Sequence, residues 1–150
     1  MVPVIFVNGC FDLITVAHVR LLTFASSLGE RLIIGLNGDE SVKTLKGHSR
    51  PLNNEYDRRE VLRRIKGVHE VYIFDDTNCS SLLRKIKPNI WVKGGDYKYE
   101  TINPLELKVA QEIGCEIRFF SFFEGYSTTS IIAKINSNKL VKTPLYEYKK

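Results

Sequence analysis

The segment from Gly9 to His18 contains residue types that bind phosphate. Gly9 ends an apolar, β-branched run, and the chain continues through Cys10 and Phe11 to Thr15 and His18. Glycine lets backbone N–H groups approach an anion closely. A helix that begins near Thr15 would direct its free N–H groups and the positive end of its dipole at the same anion. Thr15 and His18 are three residues apart, so both can reach the same phosphates from one helical turn.

Two later segments have the same character, and each also follows an apolar run. Their residues are Lys93, Gly94, Gly95 and Asp96 in the first segment and Ser127, Thr128 and Thr129, at the start of a helix, in the second. Taken singly, such residues are most often structural, because Gly forms turns and Ser or Thr caps helices. Three phosphate-binding patterns that all follow strands favour one shared site for an anionic ligand.

Apolar runs of strand length alternate with helical patterns along the chain. Strands are predicted at VPVIFVNG, RLIIGLNG, VHEVYIF, NIWVKGG and CEIRFFSF, and helices at AHVRLLTFASSLG, NEYDRREVLRRIKG, SSLLRKIK, PLELKVAQEIG and STTSIIAKI. Gly29 is expected to cap the end of the first helix, Asn53 or Asn54 the start of the second, and Gly114 to follow the fourth. The segment DESVKTLKGHSRPLN is interpreted as a basic loop with room for a short helical piece.

This alternation predicts an α/β fold, a single-domain doubly wound parallel sheet of about five strands with helices on both faces. In such a sheet, ligands bind beyond the carboxyl ends of the strands, where the strand order reverses. The three polar segments follow strands one, four and five and are therefore expected to meet there. The domain is expected to span residues 1–136, and the polar, basic residues 137–150 to form a C-terminal extension.

The bulk composition limits the classes of protein and of ligand. The 150 residues suit one soluble domain, with 43% hydrophobic and 26% charged residues. No apolar run is long enough to span a membrane and the first residues lack the basic start of a signal peptide, so a cytoplasmic protein with no membrane partner is expected. The net charge of +5 suits nucleic acid or anionic small molecules. Because the basic residues are spread along the chain without a nucleic-acid-binding motif, a phosphate pocket is favoured and no nucleic-acid partner is expected.

The sequence also excludes several kinds of site. GCFDLI does not match the dinucleotide fingerprint GxGxxG, and no P-loop pattern GxxxxGK[ST] occurs, so neither hydride transfer nor P-loop hydrolysis fits. Cys10, Cys79 and Cys115 are far apart and form no CxxC or Cys/His pattern. Reduced thiols are therefore expected, with no protein metal site and no disulfide framework.

Taken in order, these motifs resemble those of the cytidylyltransferase-like nucleotidyltransferases, a family with a Rossmann-like fold. GCFDLITVAH is similar to the family signature GxFDxxHxGH, which is TxGH in some branches. LNGDESVKTLKGHSRPLN, DRREVL, WVKGGDY and EGYSTTSII resemble the family's later motifs, so the match covers roughly residues 4 to 135. LKG, SRPLN, VKGGDY and STT are most similar to the adenylyltransferase domains of ADP-heptose synthases, and glycerol-3-phosphate cytidylyltransferases come next.

Two residues differ from the family signature, and a third distinguishes between two branches of the family. Phe122 stands where the cytidylyltransferase motif usually has Arg, which favours ATP over CTP. Thr15 replaces the first His of HxGH and Ala17 replaces its Gly, so a catalytically weakened nucleotide-binding homologue is a second hypothesis. The kinase domain that many bacterial heptose enzymes carry is not in this sequence, so the expectation is either a stand-alone version of the transferase domain or a protein that uses the same fold for another phosphate ester.

The resemblance implies nucleotidyl transfer, in which a phosphate oxygen of an acceptor attacks the α-phosphorus of a nucleoside triphosphate and pyrophosphate leaves. The catalytic residues that it implies are His18, Thr15 and Lys46. The nucleotide-binding residues that it implies are Gly9, Cys10, Phe11, Arg58, Gly94, Gly95, Asp96, Ser127, Thr128 and Thr129. The resemblance implies that Ser127, Thr128 and Thr129 hold the β- and γ-phosphates. It also implies that residues 94–96 border the base and the ribose of the nucleotide.

The acceptor is the least specified part of the predicted site. Candidates for binding its phosphate are Lys43, Arg50 and Lys93, and solvated surface charge is an equally open interpretation of each. Asp12 is interpreted as structural. Mg²⁺ is expected as a cofactor that arrives with the triphosphate, held mainly by phosphate oxygens and water. The expected partners are a nucleoside triphosphate and a small phosphate ester such as a sugar phosphate, and a homodimer is expected because relatives commonly dimerise.

Overall fold

Five parallel strands form one sheet in the order β3-β2-β1-β4-β5. The computed structural model describes residues 2–95, 97–121 and 127–137. The strands are β1 (Val4–Gly9), β2 (Arg31–Asn37), β3 (Val68–Phe74), β4 (Ile90–Gly94) and β5 (Glu116–Phe120). Because β1 lies between β2 and β4, the strand order reverses at the β1/β4 pair, which is where a doubly wound sheet binds its ligands. The predicted fold class is confirmed.

Helices cover both faces of the sheet. They are α1 (Val16–Ser27), α2 (Asp39–Lys46), α3 (Glu55–Arg63), α4 (Ser80–Ile86), α5 (Pro104–Glu112) and α6 (Thr128–Asn136), with a short 3₁₀ helix at Tyr99–Thr101. Leu22 of α1 and Leu62 of α3 belong to the apolar core on one face. Leu83 of α4 and Val109 of α5 belong to the core on the other face, around Trp91. The three inner strands, β1, β2 and β4, are therefore buried on both sides, which explains their mostly apolar sequences, whereas the edge strands β3 and β5 carry exposed residues.

The structure confirms some of the helix ends predicted from the sequence, and it differs from the prediction at α2 and at Gly29. Asn54 caps α3 by accepting hydrogen bonds from the backbone N–H groups of Tyr56 and Asp57. The segment interpreted as a loop contains an eight-residue helix, α2. Gly29 is not the predicted C-cap of α1, because Leu28 occupies that position in a right-handed conformation. Gly29 is instead required by packing, since a Cβ there would lie 2.6 Å from the carbonyl oxygen of Pro3.

Candidate active site

A cavity of about 490 Å³ opens at the carboxyl ends of β1 and β4. It is the place where the strand order predicts a ligand, and all three polar segments contribute to its wall. Ten of the residues predicted from the sequence line it, namely Gly9, Cys10, Phe11, His18, Lys46, Lys93, Gly94, Ser127, Thr128 and Thr129. Residues more than a hundred positions apart in the chain are thus brought to one site.

His18 is held in a defined orientation at the start of α1. The backbone N–H of Thr15, the N-cap residue, donates to His18 Nδ1 over 3.1 Å. Because Nδ1 accepts this hydrogen bond, we assign the ring proton to Nε2. Burial, reinforced by the nearby positive charge of Lys46, lowers the pKa of His18 below its ordinary value. The neutral imidazole is therefore the stable form at neutral pH, with an Nε2–H group that can donate to a phosphate oxygen.

Thr15 acts on His18 rather than on the cavity. It is not among the residues that line the cavity, and its Oγ1 lies 3.3 Å from His18 Nδ1. The predicted start of the helix near Thr15 is confirmed. The direct contact of Thr15 with phosphate stays a prediction, and the contact that the structure does show is the hydrogen bond from its backbone N–H to His18.

The turn after β1 differs in detail from the one expected. Phe11, not Gly9, has the left-handed backbone conformation, with φ of 46°. The Phe11 ring packs against His18 with its centroid 5.3 Å away, and a Cβ at Gly9 would lie 3.0 Å from the same ring. Gly9 therefore leaves room for the Phe11 ring, which in turn packs against His18. Burial raises the pKa of the Cys10 thiol, which favours its neutral form.

Lys46 and α6 supply the other groups that suit a triphosphate. Lys46 is the last residue of α2, exposed at the cavity, and close enough to His18 to affect its pKa. Helix α6 begins at the cavity, with Ser127 as its N-cap. The Ser127 Oγ accepts from Ser130 N, and Thr128 Oγ1 donates to the carbonyl of Leu13. Because these hydroxyls already bind protein, α6 offers the cavity its first-turn N–H groups and dipole.

Lys93 is a buried cation in the cavity wall. Only 6% of the residue is exposed, and its Nζ lies 4.8 Å from the centre of the Trp91 ring and 4.2 Å from that of Tyr97. Burial lowers the pKa of Lys93, against the opposing effect of the nearby Glu106 carboxylate. The two rings fix the position of the ammonium group without neutralising it, as expected of a group that meets an anionic ligand.

Arg58, which the family resemblance assigns to nucleotide binding, lies away from the cavity wall. It is 1% exposed and does not line the cavity. Its guanidinium donates to three carbonyl oxygens and one carboxylate, those of Cys10, Asn37, Asn53 and Asp39, over 2.7 to 2.9 Å. These bonds tie the loop after β1 to the end of β2 and the start of α3. Arg58 thus has a structural role, since its hydrogen bonds hold together three segments next to the cavity.

Arg50 and Lys43 are also placed away from the cavity wall. Arg50 is buried, and its Nε donates to the Asp12 carboxylate over 2.8 Å. Lys43 forms a surface ion pair with Glu40 one turn earlier on α2, where solvent screens it. Neither side chain supports the predicted binding of an acceptor phosphate.

Three other residues named in the sequence analysis do not line the cavity or are not described. Gly95 directly follows the lining residue Gly94 but does not itself line the cavity. Asp96 lies outside the described residues, as does the 122–126 segment that contains Phe122.

Asp12 has the structural role that was expected, although its partners are unexpected. It accepts hydrogen bonds from the backbone N–H groups of Leu52 and Asn53 as well as from Arg50. Burial raises the pKa of Asp12, but these hydrogen bonds and the Arg50 charge outweigh burial and leave the pKa lowered. The carboxylate therefore holds the loop between α2 and α3 against the loop after β1.

The sequence patterns missed much of the remaining cavity wall. The missed polar residues are Asn8, Asn37, Thr77, Asn78, Tyr97, Thr101, Asn103 and Glu106. Asn8 and Asn37 had a signal, because each is a polar residue near the end of an otherwise apolar strand. Glu106 had none, because an acidic residue in the first turn of a helix is common and usually solvated.

The described residues contain neither a metal-binding cluster nor a membrane-spanning helix. No group of three or more His, Cys, Asp or Glu side chains lies close enough together to hold a metal ion. None of the helices described is sufficiently long and apolar to cross a membrane.

Comparison with known proteins gives consistent matches over the domain. The family model described as cytidylyltransferase-like matches residues 6–134. The bifunctional protein HldE of Aliarcobacter butzleri is 43% identical over 136 residues, and that of Campylobacter concisus is 45% identical over 136 residues. Each alignment covers 91% of this chain but only 27% or 28% of the relative, so this chain spans about a quarter of these proteins.

Solved structures show the same fold at low sequence identity. A lipopolysaccharide core biosynthesis protein from Thermoplasma volcanium has a TM-score of 0.70 at 20% identity, covering 83% of this chain and all of that one. TmcAL of Thermotoga maritima, solved with alpha-thio ATP, has a TM-score of 0.67 at 12% identity, covering 91% of this chain and 50% of that one.

Proposed function

We propose that this chain, which belongs to the cytidylyltransferase-like family, transfers a nucleoside monophosphate from a nucleoside triphosphate to a small phosphate ester. The observation that carries the proposal is the convergence of His18, Lys46, Lys93 and the N-termini of α1 and α6 on one cavity. These groups are neutral donors, cations and positive helix ends. They suit a ligand with several phosphate groups better than any uncharged ligand.

In the proposed reaction, an oxygen of the acceptor phosphate attacks the α-phosphorus in line. The bond from that phosphorus to the bridging oxygen of the β-phosphate breaks, and pyrophosphate leaves with the electron pair. His18 Nε2–H donates to the α-phosphate as negative charge grows on it, and Lys46 and the α6 N-terminus hold the departing phosphates. The protein thus contributes orientation and electrostatic stabilisation, and no covalent intermediate on the enzyme is required.

The triphosphate is proposed to enter as its Mg²⁺ complex. The only carboxylate near Gly9 and Phe11 in the described wall is Asp12, whose oxygens already accept from Arg50, Leu52 and Asn53. This donor set fits a Mg²⁺ that is bound through phosphate oxygens and water, in keeping with the reluctance of Mg²⁺ to lose its waters. When bound, the ion would neutralise phosphate charge.

ATP and a sugar 1-phosphate, such as D-glycero-β-D-manno-heptose 1-phosphate, are the substrates that we propose. The identity of more than 40% to bifunctional HldE proteins and the motifs VKGGDY and STT support this choice. A cytidylyltransferase that uses CTP and glycerol 3-phosphate is the alternative within the same reaction class. A cytoplasmic location and a homodimer belong to the same proposal, and sedimentation analysis would test the dimer.

A nucleotide-binding protein with little activity is the second candidate. Ala17, which replaces the motif glycine, is buried and lines the cavity beside His18, so its methyl group occupies space near the phosphates. Retention of an oriented His18 and of Lys46 favours the active enzyme.

A pyrophosphate-release screen tests the proposal. The four nucleoside triphosphates are each combined with heptose 1-phosphate, mannose 1-phosphate, glycerol 3-phosphate and methyl phosphate, with Mg²⁺ present. We expect release with ATP and a sugar 1-phosphate. Tight ATP binding by calorimetry without release from any combination would support the second candidate instead.

A further inference from the structure

The cavity has a second end, next to α5, whose chemistry differs from that of the phosphate-binding end. Its residues are Thr77, Asn78, Tyr97, Thr101, Asn103 and Glu106, and we call it the α5 end. It lies on the face of the sheet that packs against α4 and α5, whereas α1 and its histidine lie on the face shared with α3. The α5 end consists of hydroxyls, amides and one carboxylate, so it is equipped mainly to exchange hydrogen bonds.

Glu106 is the unusual group at this end. It is 6% exposed, and its Oε1 accepts a hydrogen bond of 2.8 Å from the backbone N–H of Cys79, which immediately precedes α4. No lysine or arginine forms an ion pair with it among the residues that the structure describes. Lys93 is near enough for the two charges to interact electrostatically. Burying a carboxylate without a paired cation is costly, so its position in a cavity wall indicates a ligand that donates hydrogen bonds to it.

The charge of Glu106 decides which part of the substrates can lie beside it. A triphosphate would be repelled by the carboxylate and has few hydrogen-bond donors of its own. Hydroxyl groups donate well to carboxylates, and such charge-assisted bonds are the stronger kind. The α5 end therefore suits the carbon skeleton of a polyol, and Lys93, whose Nζ lies 4.2 Å from the centre of the Tyr97 ring, offers a cation for the phosphate of that polyol.

We propose that Glu106 selects a polyhydroxylated acceptor, by accepting hydrogen bonds from its hydroxyl groups while Lys93 holds its phosphate. This inference rests on the proposed function and adds to it a residue that determines acceptor specificity. Lys93 is oriented by the Trp91 and Tyr97 rings, and Glu106 by Cys79. Both groups are thus held in place before the acceptor binds, which reduces the entropy lost on binding.

The test measures acceptor binding, so it does not depend on turnover. Calorimetry with a non-hydrolysable ATP analogue present compares mannose 1-phosphate, its 2-deoxy form and methyl phosphate, for wild type and for Glu106→Gln. The glutamine keeps an oxygen that can accept from Cys79 but removes the charge. Glu100→Gln is the matched control, since Glu100 is exposed and does not line the cavity.

We expect wild type to bind the sugar phosphate about 10- to 100-fold more tightly than methyl phosphate, the range for hydrogen bonds to a charged group. Glu106→Gln should lose most of that preference and keep its affinity for the ATP analogue, and Glu100→Gln should resemble wild type. Equal binding of the sugar phosphate and methyl phosphate by wild type, or a preference retained in Glu106→Gln, would overturn the inference.

A second variant and a parallel activity assay distinguish failure of this inference from failure of the proposed function. If Glu106→Gln does not fold, Glu106→Asp, which keeps the charge but shortens the side chain, takes its place, and the deoxy sugar still tests the hydroxyl contacts in wild type. Pyrophosphate release is measured in parallel. Selective sugar phosphate binding without release would contradict the proposed function but support the role of Glu106 in recognition.

Discussion

At the residue scale, the site depends on how one histidine is held. His18 is neutral because it is buried beside Lys46, and its Nδ1 accepts from the backbone N–H of Thr15. The same arrangement shows how a threonine can stand at the position that resembles the first His of the HxGH signature. The backbone N–H of an N-cap residue is available whatever its side chain, so the orienting bond survives the substitution.

Replacing His18 should reduce catalysis without unfolding the protein. We expect His18→Gln and His18→Ala to lower the rate of pyrophosphate release by about 10²- to 10³-fold, the usual effect of removing one transition-state donor. His48→Gln is the matched control, because His48 is exposed on the loop after α2. Near-wild-type turnover of both His18 variants would exclude the assigned role.

The lowered pKa of His18 predicts a pH-dependent stability. Between the folded-state pKa and the ordinary value near 6.5, the unfolded chain binds a proton at this position that the folded chain does not. The contribution is therefore complete above about pH 6.5 and is lost as the pH falls through the folded-state pKa. Urea unfolding of the ligand-free protein from pH 5 to 8 should show a smaller acid loss for His18→Gln than for wild type. Parallel curves for the two proteins would contradict this.

At the element scale, a set of buried polar contacts anchors the loops around the cavity. Asp12 binds the loop between α2 and α3, and Arg58 joins the ends of β1 and β2 to the start of α3. The cavity wall at Gly9 to Phe11 is held from behind by these side chains. A structural role for Arg58 therefore still affects the site, because the carbonyl of Cys10 is one of its acceptors.

Removing the charge of Asp12 should loosen this anchor. We expect Asp12→Asn to lower the free energy of unfolding by about 3 kcal/mol, because Arg50 would be left as a buried and unpaired cation. Glu60→Gln, which removes an exposed pair with Arg64, should cost less than about 0.5 kcal/mol. Chemical denaturation of both variants measures the difference, and equal small losses would show that the Asp12 pair is not important for stability.

At the scale of the whole molecule, the sheet creates the site by placing β1 beside β4. The α1 N-terminus, the end of β4 and the α6 N-terminus then face one cavity, although they are far apart in the chain. The β1/β4 pairing follows from the position of the later strands, since β2 and β3 extend the sheet on one side and β4 and β5 on the other.

A bound nucleotide should contact all of these elements together. We expect a non-hydrolysable ATP analogue to shift the backbone amide resonances of His18, Gly94 and Thr129 at the same ligand concentration. Lys43, on the surface of α2, should shift little, since it does not line the cavity. Movement of the His18 resonance without those of Gly94 and Thr129 would place the triphosphate elsewhere and remove the main support for nucleotidyl transfer.

The sequence by itself determined the elements and the strand ends that carry chemistry. Apolar runs and helical periodicity depend on neighbours in the chain, so the five strands, the α3 cap at Asn54 and the helix that begins after Thr15 could be predicted. That Gly9, His18 and the α6 start lie at one cavity could also be predicted, because strand ends and free helix N-termini are local features.

Only the tertiary structure decided which charged side chains face the cavity. Arg58 and Glu106 are ordinary helix residues in sequence, yet folding surrounds the first with three carbonyl groups and places the second in the cavity wall. The partners of Arg58 come from three separate segments, and Glu106 is fixed by Cys79, 27 residues earlier. Whether a charge is solvated, clamped or presented to a ligand depends on such long-range neighbours, which local sequence patterns do not contain.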